Sequence, residues 1–529
     1  MSARPLWASQ LPSYERPKWR SQRPATPPSF FLSGPDDRDL DAIPWTRATT
    51  RSVTDYQGNI WQALSGEVPW QGWRRVQNLF SSSSTLSTQG VTVVVGATYV
   101  VSFYGTGSIA FSGGGSGSLA GTGASTRVYT TITATTTTLT CTVTGSVTSA
   151  QCQLARPGQT TPDEYVSNGV LSTPYHGAKV DGVKYFPTDD QGRLIDGTRG
   201  YDRAVSGAWV ESSSVTPIAP GLSIGSAQTN RITYSTPVTG WTRGTATTTA
   251  AYDAQVGEYG QLRGVGAEGT AAVYIASSGF TGSTRTELAF MMRTVTTTGT
   301  ATVKNPQGAP NGVWVIDLSK VSTTRFERID RFHAAVTVTT EFTATAGGSS
   351  GVMFSKSSGT QDYDVALVTQ VEAQRVQSLI YSAGSATTKN ADAPTFTMLP
   401  TFATQNEGTL VADFVPLFWT LGPSALYFSD GTNGYAYKNN GSDTINQYDT
   451  TTASSFGSQV ERTRTKLATS WQTGVGRYGY RDGTSKFAAT AYDGAWAGAT
   501  LALGGPQLLR ELSIYPTALT ATQLQALSS

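Results

Sequence analysis

Two histidines, His176 and His333, are the only ones in the 529-residue chain, so they decide whether a nucleophilic site is possible. A Ser-His-Asp arrangement needs a histidine as general base beside its nucleophile. The two lie in separate predicted modules, and neither has a plausible nucleophile nearby. His176 follows Tyr175 and is predicted in a loop, whereas His333 follows Phe332 and is predicted in a strand. Two histidines and two cysteines are also too few for a clustered zinc site.

Carboxylates offer another route to hydrolysis, because a glycosidase needs only two of them. Solvated or turn positions explain the candidates equally well, and no two share a signature; they are Glu287, Asp317, Glu327, Asp330, Asp362, Asp364, Glu372 and Asp413. The segment Asp430-Gly431-Thr432-Asn433 lacks the alternating acidic ligands of a calcium loop. The sequence therefore predicts no catalytic residue, metal ligand or cofactor, although a polysaccharide-degrading enzyme stays an alternative.

Aromatic side chains fit a binding role better than a catalytic one. Rings stack on the apolar faces of sugars, while amides and carboxylates bind the hydroxyl groups. Several rings lie near Gly, Asp and Asn turns in the last part of the chain, and the alternative is that Trp471 and half of these tyrosines form a core. The predicted glycan-binding residues are Tyr435, Tyr437, Tyr478, Tyr480 and Trp496.

Tryptophans are concentrated near the start of the chain. Residues 1–77 hold six of the 12 tryptophans, although eight prolines between Pro5 and Pro44 interrupt regular structure. Disordered segments are poor in aromatic residues, and this segment looks too small to bury its own rings. It is predicted to be an arm that docks on a partner, with a flexible tail as the alternative; the docking residues are Trp7, Trp19, Arg20, Trp45, Trp61, Trp70 and Trp73.

The elements that position these side chains are predicted to be β-strands. The 56 glycines and the Thr, Ser and Val tracts, with little helical periodicity, favour an all-β chain of serial β-sandwich (jelly-roll) domains. One short helix is predicted over Thr520 to Leu527, after a Thr N-cap. The length suggests about three to four domains. We predict the arm at 1–77, a sandwich at 78–186, a connector at 187–222, a second sandwich at 223–397 and a third module at 398–529.

One short sequence pattern occurs twice, and the predicted module boundaries are based on it. It reads Ser149-Ala150-Gln151-Cys152-Gln153-Leu154-Ala155 and then Leu367-Val368-Thr369-Gln370-Val371-Glu372-Ala373. Each copy follows strand-like sequence and precedes an apolar anchor, Tyr165-Val166 in one case and Ile380-Tyr381 in the other. We interpret each copy as the closing strand of one sandwich, followed by the exit loop into the next module.

Charge and hydropathy bear on the class of partner. The net charge of +2 argues neither for nor against a polyanionic partner in general. Nucleic-acid binding normally shows a basic stripe with interleaved aromatic residues, and only the N-terminus has one, so nucleic acid is not an expected partner. Residues 1–12 lack the apolar region of a secretory signal. No run approaches 18 apolar residues, so membrane insertion is not expected. Cys141 and Cys152 could pair across a hairpin, but two buried thiols are favoured.

Motifs in the second and third modules resemble known families. The second resembles the carbohydrate-binding-module-like jelly rolls of phage head-spike and tail-fibre proteins, and the first looks like a diverged copy. The matching residues are Trp241-Thr242-Arg243, Gln370-Val371-Glu372, Ile380-Tyr381 and Asp392. The third module resembles the concanavalin A-like (laminin-G-like) lectin fold, through Lys466-Leu467-Ala468-Thr469-Ser470-Trp471, Asp482-Gly483, Leu501-Ala502-Leu503-Gly504 and Leu512-Ser513-Ile514-Tyr515-Pro516.

This resemblance covers most of the chain after residue 77 and concerns fold more than activity. It implies a tailed-phage virion protein, either a fibre, a spike or a decoration. The implied partners are other virion proteins, further copies of the chain in a homo-oligomer (a trimer in this family) and a host cell-surface polysaccharide. A purely structural collar, baseplate or decoration protein is the alternative.

Overall fold

The computed structural model describes residue 24, residues 28–35 and most of residues 44–529. The gaps within the last range are 171–176, 205, 207, 226–227, 233–240, 244–246, 264–272, 278–279, 281–284, 306–311, 344–349, 357–362, 373–378, 383–384, 393–394, 398–406, 418–424, 430–435, 440–443, 449–452, 460–461, 493–499 and 506. The described residues form 40 strands and one α-helix, which confirms the predicted all-β class. In this part of the chain no helix has the length and apolar character needed to cross a membrane.

Short strands precede the first sandwich. They are β1 (Phe30–Leu32), β2 (Arg51–Thr54), β3 (Ile60–Ala63), β4 (Trp70–Gln71) and β5 (Arg74–Gln77). β2 and β3 form an antiparallel hairpin, and the other three strands pair with segments much later in the chain.

The first sandwich consists of two antiparallel sheets. Its strands are β6 (Gln89–Thr92), β7 (Thr98–Gly105), β8 (Ser108–Gly113), β9 (Gly117–Ala120), β10 (Gly123–Thr133), β11 (Thr138–Thr144) and β12 (Thr148–Leu154). One sheet has the order β10-β7-β12 and the other β6-β11-β8-β9. In β11 the buried Leu139 and Cys141 alternate with the exposed Thr138 and Thr142, because successive side chains of a strand point to opposite faces.

Five short strands lie along the chain between the first two sandwiches. The strands are β13 (Val183–Phe186), β14 (Tyr201–Arg203), β15 (Trp209–Glu211), β16 (Gly221–Ile224) and β17 (Gln228–Asn230). β13 pairs with β5, and β14 pairs with β15.

The second sandwich has a six-stranded and a five-stranded sheet. Its strands are β18 (Trp241–Arg243), β19 (Thr247–Asp253), β20 (Gly257–Arg263), β21 (Val273–Ser277), β22 (Thr286–Thr294), β23 (Thr300–Lys304), β24 (Val313–Asp317), β25 (Glu327–Ile329), β26 (Val336–Thr340), β27 (Ser350–Lys356) and β28 (Tyr363–Glu372). The orders are β18-β21-β27-β23-β24-β26 and β19-β20-β28-β22-β25. A 3-10 helix spans Leu318–Lys320, and β29 (Thr387–Lys389) pairs back to β17.

The third sandwich combines late strands with strands from the start of the chain. Its own strands are β30 (Thr395–Thr397), β31 (Glu407–Pro416), β32 (Ala425–Ser429), β33 (Ala436–Asn439), β34 (Thr444–Tyr448), β35 (Ala453–Ser458), β36 (Thr465–Gln472), β37 (Gly476–Arg481), β38 (Thr484–Thr490), β39 (Thr500–Leu503) and β40 (Gln507–Tyr515). One sheet is β30-β39-β32-β33-β34-β35. The other is β38-β37-β36-β31-β40-β16-β4, with β1 also on β40.

The helix α1 (Ala521–Ser528) confirms the predicted short helix after the last strand. Thr520 is its N-cap and exchanges hydrogen bonds with Gln523 in a capping box. Leu524 and Leu527 are buried against the third sandwich beneath the helix.

The tryptophan-rich segment is not separate from the sandwiches, because β1, β4 and β5 pair with strands much later in the chain. β1 pairs with residues 512–514 of β40, and β16 joins β4 to residues 507–509 of the same strand. Trp45 and Trp70 are 8% and 1% exposed in the core of this sandwich, and Trp73 packs against that core. Trp61 is 8% exposed in a small cluster with Val53.

The prediction that these four rings need a partner surface is therefore wrong in its premise. The segment needs no core of its own, because it shares the core built by strands far along the chain. Trp7, Trp19 and Arg20 lie outside the described residues, and their docking role stays a prediction.

Candidate functional site

A buried asparagine closes the first sandwich. The Nδ2 group of Asn78 donates to the carbonyls of Ala150 (2.9 Å) and Val166 (2.8 Å). Its Oδ1 atom accepts from the backbone N–H of Phe80 and Cys152, both at 3.1 Å. One side chain, 1% exposed, thus ties the entering chain to the closing strand and the exit loop.

The second sandwich repeats this arrangement with Asn230. Its Nδ2 group donates to the carbonyls of Val368 (3.1 Å) and Ile380 (2.8 Å). Its Oδ1 atom accepts from the N–H groups of Ile232 (3.1 Å) and Gln370 (2.9 Å). Asn230 is fully buried. We call the two arrangements the asparagine locks.

The locks act on the repeated stretch found in the sequence. Ser149 and Leu367, which begin the two copies, have φ values of 45° and 52°. The strand register shifts beside each of them, as expected for a β-bulge. The shared Asn-x-apolar pattern of Asn78-Leu79-Phe80 and Asn230-Arg231-Ile232 is the sequence signal that could have revealed the locks.

The two repeated stretches face a common cleft between the first and second sandwiches. Its volume is about 430 Å³, within the roughly 300–1,000 Å³ typical of small-molecule sites. The first sandwich contributes Gln153 and Leu154 of β12, and the second contributes Leu367 of β28. The hairpin β2–β3 contributes Trp61 and Gln62.

Aromatic side chains form much of the cleft wall, where Trp61, Tyr99, Tyr252 and Tyr381 all contribute. The indole N–H of Trp61 donates to Asp55 at 2.9 Å, which holds the ring in place. The hydroxyl of Tyr99 accepts from the Val94 N–H at 2.8 Å. Tyr381 is 41% exposed and is therefore the ring most open to a ligand.

One charged group in the wall is neutralised by its neighbours. Arg156 forms a two-point ion pair with Asp163 at 2.8 and 2.9 Å, and Arg74 approaches the same carboxylate at 2.7 Å. Burial would raise the pKa of Asp163, but attraction to Arg156 and Arg74 outweighs burial and lowers the pKa. Asp163 therefore stays ionised and bound to arginine.

A second ion pair lies behind the wall. Arg75 donates through Nε (2.7 Å) and Nη2 (2.8 Å) to the buried carboxylate of Glu67, and through Nη1 to Gln77 (3.0 Å). The Tyr185 hydroxyl also donates to Glu67 at 2.6 Å. The charged side chains that line the cleft, Arg75, Arg156 and Asp163, thus all have opposite charges as partners.

Of the predicted glycan-binding residues whose side chains the structure describes, Tyr478 and Tyr480, neither lines this cleft. Tyr435 and Trp496 lie outside the described residues, and only the backbone of Tyr437 is described, in β33. Tyr478 and Tyr480 are half-buried in β37 and pack against the cluster beneath α1. A glycan-binding role for all five residues stays a prediction.

The residues weighed for catalysis are in ordinary structural positions where they are described. His176 and Asp362 lie outside the description. His333 lies in a turn rather than a strand, which corrects that prediction; its Nδ1 accepts from the Ala335 N–H at 3.1 Å. The other seven carboxylates each form an ion pair with Arg or Lys, for Glu287, Asp317, Glu327, Asp330, Asp364, Glu372 and Asp413.

The two cysteines and the possible metal ligands were the other groups considered for chemistry. Cys141 and Cys152 are free and buried, as favoured from the sequence, and burial raises the pKa of the Cys141 thiol to about 12. Among the described residues no group of three or more His, Cys, Asp or Glu side chains could hold a metal ion.

Comparison with known proteins gives no family. No family model matches the chain, and no curated protein matches it. Among solved structures, a mutant of Trypanosoma rangeli sialidase displaying trans-sialidase activity matches with a TM-score of 0.21 and 10% identity. The match covers 63% of this chain and 60% of the sialidase chain. A likeness at this level carries no argument about fold or function.

Proposed function

We propose that the chain is a non-enzymatic structural protein of a bacteriophage virion, a fibre, spike or decoration, that presents its β-sandwiches for recognition of a host cell-surface polysaccharide. The proposal is supported by the motifs that resemble phage spike and fibre modules. The proposal depends mainly on the buried contacts that hold the modules together. A display protein must keep its binding surfaces in a defined arrangement, and such contacts provide one.

A buried ion cluster joins three distant segments. The Asp392 carboxylate, next to the second sandwich, accepts from Arg47 at 3.2 Å and Arg51 at 2.5 Å. Lys389 lies 3.5 Å from the same carboxylate, and the Gly225 N–H donates to it at 2.9 Å. The two arginines, Lys389 and Asp392 are all 5% exposed or less. Removing Arg47 or Arg51 from such a buried pair costs about 3–5 kcal/mol.

The docking part of the proposal concerns Trp7, Trp19 and Arg20. These residues precede β1, whereas Trp45 and Trp70 are buried in the core of the third sandwich. Rings and an arginine of this kind are frequent anchors at protein interfaces. Other virion proteins, and further copies of this chain in a homo-oligomer, are the proposed partners.

The test is a deletion of residues 1–23, which leaves β1 to β5 in place. We expect the truncated chain to fold, to keep host-cell binding and to be lost from purified particles, as measured by antibody labelling. A triple substitution, Trp7→Ala, Trp19→Ala and Arg20→Ala, should give the same loss, while Arg23→Ala serves as a control. Unchanged incorporation of the deleted chain into particles would refute the docking proposal.

Host recognition needs its own measurement. The full-length chain is expected to adsorb to host cells and to lose adsorption after the surface polysaccharide has been stripped. A chain that is present in particles but binds neither cells nor glycans would instead be a purely structural collar, baseplate or decoration protein. Release of reducing ends from the polysaccharide would show an enzyme and contradict the proposal.

A further inference from the structure

We infer that the cleft between the first two sandwiches is a binding site for a neutral saccharide. This inference rests on the proposed function. It places the saccharide-binding site in this cleft rather than in the last module. Its basis is the combination of an exposed ring, amide side chains and charges that are already paired.

The exposed ring is held by the second asparagine lock. Tyr381 directly follows Ile380, whose carbonyl accepts from Asn230 and whose N–H donates to Thr369 Oγ1 at 2.9 Å. The backbone before the ring is therefore anchored, while the side chain itself is 41% exposed. A ring on an anchored backbone can stack on a sugar face with little loss of conformational entropy.

Amide groups supply the polar contacts that a saccharide needs. Gln62 is exposed at the cleft and Gln77 is half-buried in its wall. Gln62 donates through Nε2 to Ser52 Oγ at 3.2 Å, and the Gln77 Oε1 atom accepts from Arg75. An amide both donates and accepts hydrogen bonds, as the hydroxyl groups of a sugar do.

The charges indicate that the ligand is neutral. Arg75 and Arg156 each face a carboxylate in two-point geometry, and both arginines are 5% exposed or less. A sugar carboxylate would have to displace Glu67 or Asp163, which would leave a buried charge without its partner. That change is strongly unfavourable, so an acidic sugar gains nothing over a neutral one.

The test is a glycan array probed with the full-length chain, carrying neutral hexose and N-acetylhexosamine oligosaccharides beside sialylated and uronic-acid ones. We expect binding to neutral glycans, followed by calorimetry with the best of them. Tyr381→Ala should weaken binding about ten-fold through loss of stacking. Gln62→Ala should weaken it about three-fold through loss of one hydrogen bond.

The matched control is Tyr129→Ala. Tyr129 is 48% exposed on β10 and does not line the cleft, so binding should be unchanged. Binding to acidic glycans alone, or equal affinities for the wild type and Tyr381→Ala, would overturn the inference. So would a change from oligomer to monomer in Tyr381→Ala, because the cleft would then hold a second copy of the chain.

The two proposals fail in different ways. Host-cell adsorption that survives both Tyr381→Ala and Gln62→Ala would contradict the cleft inference and leave the proposed function standing. Absence of the chain from particles, together with binding of neutral glycans that depends on Tyr381, would contradict the virion role and leave the cleft site standing.

Discussion

Asn78 and Asn230 show how single side chains determine the geometry of a whole sandwich. Each uses two donors and accepts two backbone N–H groups, so most of the hydrogen-bonding capacity of an asparagine is used. Aspartate would lose both donors and place a charge in a buried site, and leucine would leave the backbone groups without partners. We therefore regard the asparagine locks as sites with little tolerance for substitution.

Asn230→Ala tests this directly. It removes five hydrogen bonds, one of them to Ser382 Oγ. The backbone groups that lose their partner are buried and left unsatisfied, at about 1–3 kcal/mol each where no water replaces the side chain. We expect a loss of at least about 3 kcal/mol in the second sandwich, measured as faster amide hydrogen exchange in β28. Thr142→Ala, at an exposed position of β11, should leave exchange unchanged. Equal exchange in Asn230→Ala and wild type would contradict this account.

At the scale of elements, structure that depends on neighbouring residues could be predicted from the sequence. The pairing of strands from distant segments could not. The repeated stretch, the final helix and the alternating strands all follow from neighbouring residues. β1 pairs with residues 480 to 484 positions away, and nothing in Phe30-Phe31-Leu32 specifies that partner. The cleft could not be predicted for the same reason, because Trp61, Leu154 and Tyr381 converge only after folding.

Leu32→Ala tests whether β1 belongs to the third sandwich. Leu32 is 1% exposed in the same core as Leu512 and Ile514, and Leu→Ala in a core costs about 2–5 kcal/mol. We expect the loss to appear in amide exchange of β40, while the strands of the first sandwich keep their protection. Phe31→Ala, at the half-buried neighbouring position, should cost less. A loss of exchange protection confined to residues 28–35 would show that β1 contributes little to the stability of the third sandwich.

At the scale of the molecule, the ion cluster around Asp392 makes the joining of modules sensitive to pH. Burial, and then repulsion by Arg51, lower the pKa of Lys389 to about 7, against the attraction of Asp392. The folded chain therefore binds this proton only below about pH 7, while the unfolded chain keeps it up to the ordinary value of 10.5. Since the unfolded state binds more protons between these values, stability rises with pH across this window.

Lys389→Met removes that titration. We expect the variant to be more stable than wild type near pH 7, with the difference shrinking as the pH approaches 10. Urea unfolding of both proteins at a series of pH values, followed by exchange at residues 47–51, measures the effect. A difference in stability that does not change with pH would exclude Lys389 as the titrating group.

The pairing of β1 with β40 has a consequence for synthesis of the protein. At about 5–20 residues per second, residues 507–515 follow residues 28–35 by roughly 25 to 100 s. The first two sandwiches have their strands in one continuous stretch each and can close during that interval. Phe30, Leu32, Trp45 and Trp70 cannot be fully buried in that interval, because much of their core comes from residues 410–514. During this interval the N-terminal segment of the newly made chain therefore exposes apolar side chains. This is when the chain depends most on chaperones.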